Sequence, residues 1–199
     1  MMYFEKSLSH PKSLILNRVE NIEPYHSDFK NLFRSKMLKC VEQFFESSAV
    51  LFKDKINFKM PGGSGFKAHQ DVQAEWDRYC KLHITALVSV DAANKENGCL
   101  ELSKGKHQDG IIGKRWVPLE EDSLDYISCP TNPGDVVFFD SYCPHRSKPN
   151  NTDEPRRVLY ITYNKLSVGD HRSKYFSDKR LYYPQDCERD PNKKYEFLV

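Results

Sequence analysis

Between residues 50 and 163 the chain is a succession of short apolar or alternating runs cut by glycine, proline and asparagine, and few folds suit a chain punctuated in that way. Val50-Leu51-Phe52 and Ile56-Asn57-Phe58-Lys59 have strand character and stop at Pro61-Gly62-Gly63-Ser64-Gly65. His83 to Val90 alternates, with Ile84, Ala86, Val88 and Val90 forming the more apolar face. Asn97-Gly98 is a turn signal ahead of Cys99-Leu100-Glu101-Leu102, and Pro133-Gly134 leads into a strand over residues 135–140. A last strand spans residues 157–163, and the polar stretch 103–132 reads as a long connection with an excursion over the sheet.

Ahead of these strands, Phe29, Leu32, Phe33, Met37, Leu38, Val41, Phe44 and Phe45 recur at helical spacing from an N-cap at Ser27 to about Glu46. The stripe predicts one amphipathic helix, breakable near Ser35, and its apolar side belongs in the core. A helix followed by many short strands predicts a mainly β fold: a double-stranded β-helix (jelly roll, cupin-like) with the N-terminal amphipathic helix packed on the sheet. Residues 1–26 offer only Ser13-Leu14-Ile15-Leu16, a short strand or an anchored arm.

A chain of 199 residues fits a single domain over 1–199. Its hydrophobic fraction of 39% excludes disorder, and no apolar run is long enough for a membrane span. Thirty basic against 28 acidic residues is too even a balance for a nucleic-acid footprint. No signal peptide is visible, so a cytoplasmic location is expected. The six cysteines contain no Cys-x-x-Cys pair and are expected to be free thiols; only Cys143 lies close to another candidate ligand, His145.

His69 and Asp71 follow the glycine-rich turn two residues apart, so on an extended backbone both side chains leave the same face. A distant histidine, His145, would complete a 2-His-1-carboxylate set, which suits Fe(II) and leaves coordination positions open. Such ligands bind metal as neutral imidazoles and an ionised carboxylate, so affinity should weaken as pH falls through the histidine range. Arg156 and Arg157 are adjacent, and only one can enter a barrel, because neighbours on a strand point to opposite faces. Lys55 and Asn57 share a strand face and are candidate substrate contacts, as is Arg157; Trp76 either walls a cavity or fills core. His83 reads as a hydrogen-bonded strand histidine outside the metal set. The basic and aromatic run 169–180 is either a lid favouring an anionic substrate or, on the plainer reading, a solvated surface helix.

Taken together, Phe66-Lys67-Ala68-His69-Gln70-Asp71, Asn97-Gly98-Cys99-Leu100, residues 133–139, and His145-Arg146-Ser147 leading to Pro155-Arg156 resemble the phytanoyl-CoA dioxygenase family of Fe(II)/2-oxoglutarate oxygenases, most clearly over residues 50–165. The resemblance implies that His69, Asp71 and His145 are iron ligands. It implies that Arg156 and Ser147 hold the distal carboxylate of 2-oxoglutarate, with Phe66 lining that pocket. It further implies Fe(II), 2-oxoglutarate and O2 as cofactor and co-substrates, and hydroxylation of an unactivated C–H bond of a small anionic or zwitterionic molecule, with release of succinate and CO2. Asp71 stands where related halogenases carry a small residue, which favours hydroxylation.

Residues 55–59 and the C-terminal run are also similar to family members assigned to 2-aminoethylphosphonate hydroxylation. The N-terminus is short for the family, which would leave the sheet lacking an edge strand unless a second copy covers it. The alternative is therefore a noncatalytic metal- and 2-oxoglutarate-binding module. The expected partner is a small-molecule substrate, without nucleic acid or membrane, for a monomer or homodimer.

Overall fold

A computed structural model describes residues 1–120 and 123–195. The chain starts with an antiparallel hairpin of β1 (Met2–Lys6) and β2 (Leu14–Glu20), and β2 then pairs with β3 (Ala49–Lys59) through Arg18↔Asn57 and Glu20↔Lys55. The larger sheet therefore ends on the chain's own first residues, with β1 as its edge strand. Strand β3 is a single element where two were expected, because Asp54, at the centre of the charged triplet Lys53-Asp54-Lys55, finds partners inside the protein and the two lysines lie against aromatic rings. Asp54 is fully buried, pairs with Arg172 at 2.5 Å and accepts the Ile22 N–H at 2.6 Å.

The helical stripe becomes two helices, α1 (Ser27–Arg34) and α2 (Lys36–Phe45). Ser35 breaks them: it leaves the helical region, and its hydroxyl turns back to donate to the Asn31 carbonyl at 2.5 Å. The N-cap is His26, one residue before the expected Ser27, and its Nδ1 accepts the Phe29 N–H. Phe33, Met37, Val41 and Phe45 pack against Leu51, Ile56, Ala86, Leu159 and Ile161 of the sheet. Burying each such side chain is worth about 1.5–3 kcal/mol. Phe44 lies outside the buried stripe and is exposed.

The remaining strands are β4 (Phe66–His69), β5 (Ile84–Ser89), β6 (Leu100–Leu102), β7 (Ile127–Cys129), β8 (Val136–Asp140), β9 (His145–Ser147) and β10 (Arg156–Lys165). They form two antiparallel sheets, ordered β1-β2-β3-β10-β5-β8 and β4-β9-β6-β7. Each sheet interleaves strands distant in sequence, as a jelly roll does. Strand β7 falls inside the stretch read as connection; three residues in polar surroundings carry too little periodicity to announce a strand.

One face of the larger sheet packs on α1 and α2, and the other faces the smaller sheet across Leu87, Leu100, Phe139, Val158 and Tyr160. On that inner face β3 carries Lys55, Asn57 and Lys59, opposite Tyr160, Val158 and Arg156 of β10. A final helix, α3 (Arg172–Tyr182), is not the solvated surface helix favoured from sequence. It buries Tyr175 and Phe176 in a cluster with Phe52 and Trp76. Every cysteine is a free thiol. No helix among the described residues is long and apolar enough to cross a membrane.

Candidate active site

Antiparallel pairing of β4 with β9 sets His69 directly opposite His145 and Phe66 opposite Ser147. Gln70 keeps an extended backbone (φ −108°, ψ 136°), so Asp71, at the start of a short 3-10 turn, leaves on the same side as His69. The two imidazole centroids are 4.3 Å apart, and one ligand atom each from His69, Asp71 and His145 lies within 4.8 Å of the others. Both rings are oriented in the same way. Nδ1 of His69 meets the Lys67 carbonyl at 2.7 Å and Nδ1 of His145 the Cys143 carbonyl at 3.0 Å. Each Nδ1 therefore carries the proton, and each Nε2 presents its lone pair.

Burial, with help from His145, pulls His69 down to about 3, so its ring is neutral at physiological pH. Burial opposes the charge on Asp71, yet the neighbouring His145, His69 and Lys55 outweigh it and keep the carboxyl below its ordinary range. Two imidazole Nε2 atoms and one carboxylate are the donor set of a divalent cation. Between the two β4-side ligands, fully buried Gln70 donates to the carbonyls of Gly110 (2.7 Å) and Tyr142 (2.6 Å) and accepts the Ile112 N–H (2.8 Å). It locks the backbone that carries the ligands.

Beside this cluster lies a second constellation, centred on two buried cations. Arg156 and Lys59 are register partners on β10 and β3, each 2% exposed. Lys59 Nζ donates to Ser147 Oγ at 2.7 Å, Gly98 O at 3.1 Å and Lys148 O at 2.5 Å. Arg156 Nη2 donates to Gly98 O at 2.9 Å and the guanidinium also hydrogen bonds to Tyr160, while its buried Nε has no partner among the described residues. Among the described residues no carboxylate pairs with either cation, although an unpaired buried charge is costly. Burial first and Arg156 second draw Lys59 down to about 6, while its three acceptors favour the ammonium form. Gly98 makes the arrangement possible: its φ is +72°, and a Cβ there would overlap the Lys148 carbonyl. The donors, the orphaned Nε and the local positive charge fit the carboxylate end of a dicarboxylic acid. Lys59 was given no role of its own from sequence; its signals were its strand parity with Lys55 and Asn57 and its place in the run 55–59 that resembles 2-aminoethylphosphonate-hydroxylating family members.

A cavity of about 310 Å³ opens next to His69 and Asp71, and its wall includes Lys55, Phe66 and Trp76. Two other substrate candidates need correction. Asn57 is 2% exposed on the same strand face but does not border the cavity. Arg157 points away from the barrel to the surface, where Asp91 holds it at 2.8 Å; adjacent strand residues face opposite ways, and Arg156 has the inner position. His83 stays outside the cluster, but it is not hydrogen bonded as expected. Among the described residues neither ring nitrogen has a hydrogen-bond partner, the ring packs on Phe52 and Trp76, and burial lowers it to about 3. The far wall is α3, which contributes Tyr175 and Lys179, two residues that sequence reasoning did not single out.

The profile of the phytanoyl-CoA dioxygenase (PhyH) family matches residues 9–158. The chain belongs to that family. This oxygenase is 44% identical to the 2-aminoethylphosphonate dioxygenase of uncultured bacterium HF130_AEPn_1, over 98% of the chain and 76% of the relative. It is 41% identical to the methylphosphonate hydroxylase of Gimesia maris, over 93% of the chain and 71% of that protein. Among solved structures it resembles EctD from S. alaskensis with 2-oxoglutarate and 5-hydroxyectoine (TM-score 0.67, 19% identity, 79% of this chain and 59% of that one). That likeness establishes the shared fold of this PhyH-family oxygenase.

Proposed function

We propose that this oxygenase binds iron(II) through His69, Asp71 and His145, binds 2-oxoglutarate through Arg156, Lys59 and Ser147, and hydroxylates a small phosphonate. The observation that supports this reading most directly is the convergence of two Nε2 lone pairs and one carboxylate beside a buried, carboxylate-free pair of cations. Iron(II) and 2-oxoglutarate together supply dioxygen activation, with the overall balance R–H + O2 + 2-oxoglutarate → R–OH + succinate + CO2.

The chain's own residues do the rest. The Lys67 and Cys143 carbonyls fix the tautomers of the two imidazoles, and Gln70 holds the intervening backbone. Phe66 lies between the co-substrate cations and the cavity, with the Lys59 and Lys55 ammonium groups each 5.9 Å from its ring. Helix α3 and Trp76 wall the cavity and restrict water. The phosphonate class is carried over from the two relatives named above. Methylphosphonate has one carbon, bonded to phosphorus, so a pocket of this kind seats its anion within a bond or two of the oxidised carbon.

The test is incubation of the iron(II)-loaded protein with 2-oxoglutarate, O2 and 2-aminoethylphosphonate or methylphosphonate, following succinate and the phosphorus NMR spectrum. Succinate with a matching hydroxylated phosphonate is expected from the wild type, and neither from His145→Ala. Tight 2-oxoglutarate binding without succinate for any phosphonate would instead support a noncatalytic module.

A further inference from the structure

Five cations border the cavity beside the metal-ligand cluster, and they are not equivalent. Arg18 and Lys179 are both committed to buried Glu20, at 2.9 and 2.5 Å, and Arg78 pairs with Glu75 at 3.1 Å. Asp178, the remaining acid on that wall, is taken by Lys174 at 3.0 Å and by the Tyr79 hydroxyl at 2.7 Å. Lys53 and Lys55 are left over. Among the described residues neither ammonium group forms an ion pair or a hydrogen bond, although Lys53 is only 6% exposed. Aromatic faces hold them instead. Lys53 Nζ sits 4.8 Å from the Trp76 centroid and 5.4 Å from that of Tyr175, and Lys55 Nζ lies 4.7 Å from that of Tyr160. Ring faces fix a cation in place without neutralising it.

The two lysines stand two apart on β3, both border the cavity, and Lys55 is close enough to Asp71 for their charges to interact. Burial and the neighbouring Lys53 draw Lys55 down to about 7. Two adjacent lysines with no ion-pair partner among the described residues still match a ligand group bearing two negative charges better than one bearing a single charge. A phosphonate, like a phosphate monoester, has three strong acceptor oxygens and a second ionisation close to neutral pH, and neighbouring lysines favour its doubly charged form. Lysine is well suited to such a group, as a point charge that needs no planar partner.

We infer that Lys53 and Lys55 form the seat of the substrate's phosphonate group and select a dianionic head over a carboxylate. The inference rests on the hydroxylase reading above and extends it from a substrate class to the residues that choose it.

The test is calorimetric binding to the nickel(II)-loaded protein with 2-oxoglutarate, which blocks turnover. The probes are 2-aminoethylphosphonate and 3-aminopropanoate, its carboxylate analogue of equal chain length. The wild type should prefer the phosphonate by more than about tenfold. Lys53→Met and Lys55→Met, which keep an apolar stem, should each weaken phosphonate binding by about 10- to 100-fold. They should also narrow the preference over the carboxylate, while Lys→Arg at either position restores most of it and 2-oxoglutarate binding stays unchanged.

Phosphonate affinity within about twofold of wild type in both methionine variants would overturn the seat and leave the hydroxylase reading intact. A wild type that binds 2-oxoglutarate but no phosphonate would overturn both the seat and the substrate class. A second measurement needs no variant: inorganic phosphate should displace 2-aminoethylphosphonate from the wild type, and acetate at the same concentration should not. Equal displacement by acetate would overturn the selection of a dianion.

Discussion

Replacing Arg156 with methionine should cost the ligand-free protein no more than about 1 kcal/mol, and can stabilise it, while removing most of its response to 2-oxoglutarate. In the free protein this guanidinium is buried with no carboxylate partner, one orphaned nitrogen and another buried cation, Lys59, as its register partner. Burial lowers its affinity for its proton. Exchanging uncompensated buried charge for an apolar side chain of similar length gains about 1–4 kcal/mol. Against that stand the hydrogen bonds to Gly98 O and Tyr160, at about 1 kcal/mol each. The net change therefore lies between a loss of about 1 kcal/mol and a gain of about 2 kcal/mol for the variant.

The ligand-bound comparison runs the other way. At a 2-oxoglutarate concentration of about 100 Kd the wild type gains about 2.7 kcal/mol, which raises the Tm of a chain this long by about 5–11 °C. Truncating one side of a buried charge pair weakens binding by at least about 2 kcal/mol, which leaves a shift of at most about 2–4 °C in the variant. Thermal melts with nickel(II) in place of iron, with and without 2-oxoglutarate, read both quantities. A variant that melts well below wild type without ligand, yet keeps the full ligand-induced shift, would show that Arg156 is a structural cation and that the co-substrate binds elsewhere.

Three further perturbations follow from the same structure. His145→Ala should lower the affinity for iron(II) or nickel(II) by more than about 100-fold, beyond the effect of losing an outer partner; retained metal in dialysed samples would show that the cluster is not the metal site. Lys59, drawn to about 6 by burial and Arg156, keeps its proton in the unfolded chain up to about 10.4. The unfolded state then binds the extra proton between those values, so this group's contribution makes stability rise with pH across the window. Urea melts at pH 6 and 9 should show that rise flattened in Lys59→Met, and an unchanged slope would count against a depressed Lys59. Phe33→Ala, at a fully buried position whose carbonyl accepts the Tyr163 hydroxyl at 2.6 Å, should cost about 3–5 kcal/mol in urea unfolding. It should leave the Kd for 2-oxoglutarate unchanged, and a ligand defect in this variant would mean that the helix layer and the site are coupled.

Local pattern determined a good deal of this protein. The glycine-rich turn before His69-x-Asp71, the strand ahead of His145, the helical apolar stripe and the strand parity that separates Arg156 from Arg157 were all legible, because each is a short-range periodicity. Tertiary structure decided what periodicity cannot encode. Whether the charged triplet Lys53-Asp54-Lys55 interrupts a strand depends on Arg172, more than a hundred residues away in the chain, and β7 exists only because β6 is there to pair with it. Lys59 looked like the end of a strand until β10 brought Arg156 alongside it. The run 172–182 looked solvated until β3 offered Phe52 to its buried rings. The identity of the two lysines left without counter-ions is likewise a property of the assembled cavity, since it depends on which carboxylates the other cations have already taken.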